Sequence, residues 1–127
     1  GRASTIKMLR SVMVKGMEAL TVECFRAAAR AGVAEEVANS LDASEGGLGW
    51  AEQTAYNMER MTAHGIRRAA EMREVAKTLR GLDVAPVMTT GTISWEEEMG
   101  ALDLSLDSGT PLAEQLTLIE RALEKGE

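Results

Sequence analysis

Aromatic residues are almost missing from this chain: one Phe, one Tyr and two Trp, 3% of 127 residues. A core without large rings must be filled by Ala, Leu, Val and Met, and the eight methionines suit that task, because an unbranched thioether fills irregular gaps between helices. Cysteine occurs once, as Cys24, which excludes an internal disulfide. Its place in a helical apolar stripe reads as a small buried thiol rather than a reactive one. Positive charge is in deficit: 14 Lys and Arg against 20 Asp and Glu leave a net charge of −6 and a sequence pI near 4.9. An acidic chain repels phosphate backbones unless its basic residues cluster. The only short cluster is Arg67-Arg68, so nucleic acid is excluded as the expected partner. No apolar run approaches the ~20 residues that span a bilayer and no signal peptide opens the chain, so the reading is cytoplasmic with no membrane partner. Also missing are a strand-rich segment and a Gly-rich strand-to-helix turn of the kind that cradles phosphates.

What is abundant is helix-forming: Ala, Leu, Met, Glu, Arg and Lys. The chain reads as one all-α domain over residues 1–127, with six helices and no strands. The first runs from Ser4 or Thr5 to Ala31, with Gly32 as its stop, and is a rod of about 40 Å at ~1.5 Å per residue. Its apolar residues Ile6, Leu9, Met13, Met17, Leu20, Cys24 and Ala28 step by three and four, and this stripe is expected to face the core. Gly16 sits mid-helix, where a close crossing would explain it. A short helix over 34–41 precedes a loop from Asp42 to Gly49. A third helix from Trp50 ends at Met61 or Ala63, with Trp50, Tyr56 and Met58 as packing residues. Gly65 breaks or bends the chain before a fourth helix to Arg80, packed through Ile66, Ala69, Met72, Val75, Ala76 and Leu79. A fifth helix, 86–102, carries Thr89, Thr90, Gly91 and Thr92, whose low propensity makes it dependent on tertiary packing. The last follows Thr110 as N-cap with Pro111 at its first position and ends near Lys125.

The opening segment concentrates the polar chemistry. Ser4, Lys7 and Ser11 are spaced three and four apart and share a helix face, with Arg10 beside Lys7 and apart from the Ile6–Leu9–Met13 stripe. An ammonium flanked by hydroxyls at a helix N-terminus, where free N–H groups and the positive dipole end also lie, suits an anionic ligand with a proton donor beside it. The plain alternative is a solvated Lys on the polar face of an amphipathic helix.

The segment also resembles the start of the C-terminal domain in the β-hydroxyacid dehydrogenases, which include 3-hydroxyisobutyrate and 6-phosphogluconate dehydrogenases. Their interdomain helix carries Gly-x-Gly-x-x-x-Lys-x-x-x-Asn with a catalytic lysine. Here Gly1 matches the first glycine and Lys7 the lysine, while Ala3 and Ser11 replace the second glycine and the asparagine. The nearer likeness is to a phosphogluconate-dehydrogenase-like branch with a C-terminal domain of unknown function. It rests on Ala3-Ser4-Thr5-Ile6-Lys7-Met8-Leu9-Arg10-Ser11, on Glu71-Met72-Arg73-Glu74-Val75-Ala76, and on Val84-Ala85-Pro86-Val87-Met88. The resemblance implies a helical bundle with one long interdomain helix, like the C-terminal domain of 6-phosphogluconate dehydrogenase. It implies an NAD(P)-dependent oxidoreductase acting on a small, anionic hydroxy acid, with NAD or NADP bound mainly by an N-terminal dinucleotide-binding domain absent from this chain. In that reading Lys7 is the general acid–base group, Ser11 replaces the amide that binds substrate oxygens, Ser4 and Arg10 lie alongside, the isolated domain is inactive, and two copies pair as a homodimer.

His64, Arg68 and Glu71 step by four and three, with Arg67 adjacent. In better-known members this helix holds a Lys-Asp pair near substrate; Ala70 and Glu71 fall at about those positions, which leaves Arg67 or Arg68 to bind an anionic group. The bland reading of this cluster is a solvated ion-pair face. Trp95-Glu96-Glu97-Glu98 looks like a metal site but is not expected to be one, since consecutive carboxylates point around a helix and no His or Cys joins them. The competing reading for the whole chain is a non-catalytic helical module that dimerises through its long first helix.

Overall fold

The computed structural model describes residues 1–44, 49–107 and 109–126, and among these the regular structure is entirely helical. Five helices follow in order: α1 (Arg2–Arg30), α2 (Ala34–Ser44), α3 (Trp50–Gly81), α4 (Val87–Gly100) and α5 (Leu112–Lys125). The all-α expectation holds, with one helix fewer than the six expected. Most boundaries fall within three residues of those expected, with Gly32 at φ +74° ending the first helix; Pro111, expected at the first helical position behind Thr110, is itself the N-cap of the last. Residues 45–48 of the expected loop lie outside the described residues; Asp42 on its near side accepts the backbone N–H of Trp50 at 2.9 Å and so closes the start of α3.

The missing boundary is Gly65, where the expected break does not occur. α3 continues through it for 32 residues. With no proline to interrupt the hydrogen-bond ladder, one glycine costs only ~1 kcal/mol in a helix, and a tertiary contact overrides that. The contact is backbone against backbone. A Cβ at Gly65 would lie 2.1 Å from the Glu96 carbonyl oxygen, and one at Gly100 would lie 2.5 Å from the Ile66 nitrogen. Two glycines face each other where α3 and α4 cross, and neither position has room for a methyl group.

α1 runs antiparallel to α3, as the pairings Met8–Thr78 and Glu18–Arg68 show. The apolar core forms two clusters along the bundle. One gathers Val22, Phe25, Met58, Met61, Met99 and Ile119; the other gathers Met72, Val75 and Leu79 against Met8, Val12 and Ile93. The expected face of α1 is corrected here. Ile6, Met13, Met17, Leu20 and Cys24 are exposed, Met13 by 68%, while Ala28 is buried and Leu9 half-buried. A second set of residues (Ala19, Val22 and Phe25, with Glu18 and Thr21) faces the bundle instead, because the single aromatic ring of α1 and its β-branched Val fill the space beside Met58 and Met61. Cys24 is therefore an exposed thiol, not the buried one expected. On α3, Met58, Ala69, Met72, Val75, Ala76 and Leu79 are buried as expected, Trp50 is half-buried, and Tyr56 and Ile66 are exposed, contrary to expectation. The low-propensity α4 leans on packing as expected: Thr89 and Thr92 are buried, and Thr92 returns its hydroxyl to the Met88 carbonyl at 3.1 Å.

Gly65→Ala must push α3 and α4 apart at main-chain atoms that cannot step aside, and is expected to cost about 2–4 kcal/mol. Gly91→Ala, on the same helix pair with nothing within 4 Å of the added carbon, is the control and should be neutral or stabilising. Thermal melts of the two variants check this; equal midpoints would contradict the close crossing.

Candidate functional site

The residues expected to carry chemistry occupy two separate levels of the bundle. Ser4, Lys7 and Arg10 are exposed on the first turns of α1, and Ser11 is half-buried. The Ser11 hydroxyl donates to the Lys7 carbonyl at 3.1 Å, so it is turned along its own helix. Lys7 lies next to Met8, whose sulfur accepts the Thr78 hydroxyl at 3.5 Å, so this level of α1 meets the C-terminal end of α3.

His64, Arg67, Arg68 and Glu71 sit further down α3. Thr78 and Arg68 are ten residues apart, which puts the two levels about 15 Å apart along the helix at ~1.5 Å per residue. The four do not act as one face. Arg67 reaches out to Glu71 at 3.7 Å on the exposed surface. His64 and Arg67, with Gly65, Ile66, Ala70 and Gly100, line a shallow cavity of about 440 Å³. Desolvation first, and then the guanidinium charges of Arg60, Arg67 and Arg68, push the His64 imidazole below its ordinary value, favouring the neutral ring. Arg68 turns inward and is hydrogen-bonded to the Glu18 carboxylate of α1.

That inward turn exposes what the sequence reading missed. Beside Glu18 lies Glu96 of α4, whose side chain is fully buried and neither of whose oxygens meets a protein N–H or O–H donor. Burial first, then the hydrogen bond and the charge of Glu18, raise the Glu96 carboxyl to about 9. Glu96 is thereby favoured in its neutral form, facing the Glu18 side chain that Arg68 holds. The pair lies between the two apolar clusters, so a polar layer interrupts the core. A periodic signal for it was present. Glu18, Val22 and Phe25 step by four and three, and Thr89, Thr92, Glu96 and Met99 step by three, four and three, so both acids stand on buried faces.

A second polar group ties the far side of α1 to its neighbours. Arg26 donates to Glu120 of α5 at 2.9 Å and stacks 5.5 Å from the Trp95 ring, while Arg30 reaches the same carboxylate at 2.7 Å. Burial alone would raise Glu120, but the hydrogen bonds from Arg26 and Arg30 outweigh it and hold the carboxyl below its ordinary value. The three acids of the Glu96-Glu97-Glu98 run are engaged separately: Glu96 faces Glu18, Glu97 pairs with Arg73, and Glu98 meets Arg26 at 3.4 Å. No cluster of three potential metal ligands occurs among the described residues, and no helix among them is long and apolar enough to cross a membrane.

A carboxyl raised in the folded state contributes stability that is complete below its ordinary value of 4.5 and is lost as pH rises toward about 9. Between those limits folding takes up a proton. The melting temperature should therefore fall by roughly 5–15 °C from pH 5 to pH 9. Glu96→Gln, which keeps the shape and offers Glu18 an amide N–H, should remove at least half of that fall. Parallel curves for the two proteins would contradict a neutral Glu96.

Comparison with known proteins places this geometry. The DUF1932 family, a domain of unknown function, matches residues 28–99, a segment that includes His64, Arg68 and Glu96 but begins after Lys7. An uncharacterized 28.5 kDa protein from the 7S RNA 5′ region of Methanothermus fervidus is 31% identical over 88 residues, covering 69% of this chain and 35% of its own length. The crystal structure of a conserved hypothetical protein from Sinorhizobium meliloti 1021 shares the fold at a TM-score of 0.87 and 33% identity, over 96% of this chain and 42% of that one. The conserved protein MTH1747, of unknown function and described as structurally similar to 3-hydroxyacid dehydrogenases, matches at a TM-score of 0.70 and 37% identity, over 78% of this chain and 38% of that one. The chain thus spans less than half the length of each of these relatives. On the match over residues 28–99 and the fold shared with MTH1747, the chain belongs to the DUF1932 family and has the all-helical fold of the C-terminal domain of the hydroxyacid dehydrogenase superfamily.

Proposed function

We propose that this chain is the substrate-binding and dimerising half of an NAD(P)-dependent oxidoreductase that acts on a small hydroxy acid or related carboxylate, with Lys7 as its general acid–base group. The observation that carries the reading is the match to MTH1747, whose likeness to 3-hydroxyacid dehydrogenases is itself structural. Hydride transfer is the chemistry the nicotinamide supplies when bound. Among the described residues no strand leads into a Gly-rich phosphate-binding turn, so in this reading the dinucleotide would be held by another part of a longer polypeptide, and this chain's share is proton transfer and orientation.

Lys7 fits that share because its side chain is exposed on the first turns of α1, beside Ser4 and Arg10, at the end of the bundle where Leu82, Val84, Val87 and Met88 are also exposed. Exposed apolar side chains at the same end of the bundle furnish a surface on which a second domain could pack and exclude water. The Lys7 amine would take the substrate hydroxyl proton during oxidation and return it during reduction, with Ser4, Arg10 and Ser11 contacting substrate oxygens. Arg68 is engaged with Glu18, so among the expected anion-binding groups of α3 only Arg67 and His64 face an open cavity.

Pairing with a second copy is supported by the apolar stripe that α1 leaves uncovered, Ile6, Met13, Met17 and Leu20. An isologous contact along this helix would bury the stripe and give the two-fold dimer most common among soluble oligomers.

In the full-length polypeptide, Lys7→Ala should lower turnover of a responsive hydroxy acid by ~10² to 10⁴-fold while leaving nicotinamide dinucleotide affinity unchanged. Steady-state kinetics and dinucleotide titration check both halves, and near-native turnover would discard the catalytic assignment. Met13→Glu with Leu20→Glu should convert a dimer to a monomer in sedimentation velocity; an unchanged sedimentation coefficient would remove α1 from the interface.

A further inference from the structure

At the end of the bundle away from Lys7, α3 and α5 enclose a cavity of about 330 Å³, just above the ~300 Å³ lower bound of ordinary ligand pockets. Tyr56, in its wall, is 22 residues along α3 from Thr78, or about 33 Å at ~1.5 Å per residue, so the cavity is independent of the Lys7 end. Glu52, Tyr56 and Glu59 line it from successive turns of α3, with Ala55 between them and Leu112 and Gln115 opposite on α5.

Its chemistry has one sign. Two carboxylates line it and no Lys, Arg or His does. The start of α5 supplies about half a positive charge, which two full negative charges outweigh. Arg60, which does not line the cavity, approaches Glu59 at 3.8 Å and offsets part of its charge. The phenol ring of Tyr56 is 60% exposed and presents an electron-rich face, on which an alkylammonium is attracted by the ring quadrupole. In the opposite wall Gln115 is 1% exposed, yet its Oε1 has no hydrogen-bond partner. That oxygen is closed off from solvent as it stands, and a half-turn of the terminal amide, which exchanges oxygen and nitrogen within the same volume, is needed to turn it toward a ligand donor. A buried amide oxygen left without a partner is costly, and a donor supplied by a ligand removes that cost.

Glu52 and Glu59 are two helical turns apart, about 10 Å along the axis at ~1.5 Å per residue, with an aromatic ring and an alanine between them. We infer that this cavity binds a short aliphatic diamine, each ammonium drawn to one carboxylate and the methylene chain lying over Tyr56 and Ala55. Two charges at the ends of an apolar stem match two carboxylates at the ends of an apolar wall, and neither an anion nor a neutral alcohol reproduces that pattern.

The test is a titration of the protein with 1,5-diaminopentane, n-pentylammonium and 1-pentanol, followed through backbone amide and Gln115 side-chain amide resonances. The expected result is saturable shifts around Tyr56 and Gln115, with the diamine binding at least fivefold more tightly than the monoamine and the alcohol most weakly. Glu52→Gln and Glu59→Gln, both on partly open positions of α3, should each weaken the diamine at least threefold while leaving the protein folded by circular dichroism. Equal affinity for the three compounds, shifts that do not saturate, or diamine binding unchanged in both variants would overturn the inference.

Discussion

The arrangement depends on the contact of two backbones. Where α3 and α4 cross, Gly65 and Gly100 let main-chain atoms approach to a distance that no other residue pair permits. Because the Glu96 carbonyl is itself part of that contact, the crossing also fixes where the Glu96 side chain begins. It emerges into the space between α4 and α1 with no route to water, and Glu18 is what it meets there. A glycine pair thus dictates the protonation state of an acid four residues away from one of its members.

The polar layer that results divides the core. Apolar packing on either side is non-directional and would tolerate α1 sliding along α3; a carboxyl pair closed by one guanidinium does not, because displacement leaves buried charge without its partner. Glu18, Arg68 and Glu96 therefore act as a register pin between α1 and the α3–α4 hairpin. Asn57 adds to it by donating to the Thr21 hydroxyl at 3.0 Å. The pin has a consequence for function: it holds Arg68 inward, and it sets the height at which the first turns of α1, with Lys7, stand at the end of the bundle. In the function proposed for Lys7, such a rigid support is what would let its amine meet a substrate reproducibly.

Much of the fold was legible in the sequence. The all-α class, the long first helix, Gly32 as its stop and the helix opening at Pro111 follow from composition, spacing and punctuation, which are local properties. The family was legible too, through Ala3–Ser11, Glu71–Ala76 and Val84–Met88. Three things were not. Gly65 reads locally as a breaker, and only the opposing Gly100, 35 residues on, reveals it as a contact. α1 carries two apolar stripes, and the one richer in Met and Leu is the exposed one; hydrophobicity alone does not say which stripe meets a partner within the chain. Glu96 sits in an acidic run that reads as solvated, although its spacing from Thr89, Thr92 and Met99 marks the inward face. As for the site, the sequence grouped Ser4, Lys7 and Ser11 on one face, but it gave no means of learning that the His64–Glu71 cluster lies at another level of the bundle and that Arg68 belongs to its interior.

The central claim is that the glycine crossing drives a glutamic acid into the core in its neutral form, and carbon NMR reports that state directly. With glutamate side chains labelled, the carboxyl carbon of Glu96 should keep the shift of a protonated acid through neutral pH and titrate near 9. A Glu96 resonance that titrates near the ordinary value of 4.5 would show a solvated carboxylate and contradict the buried layer on which this account is built.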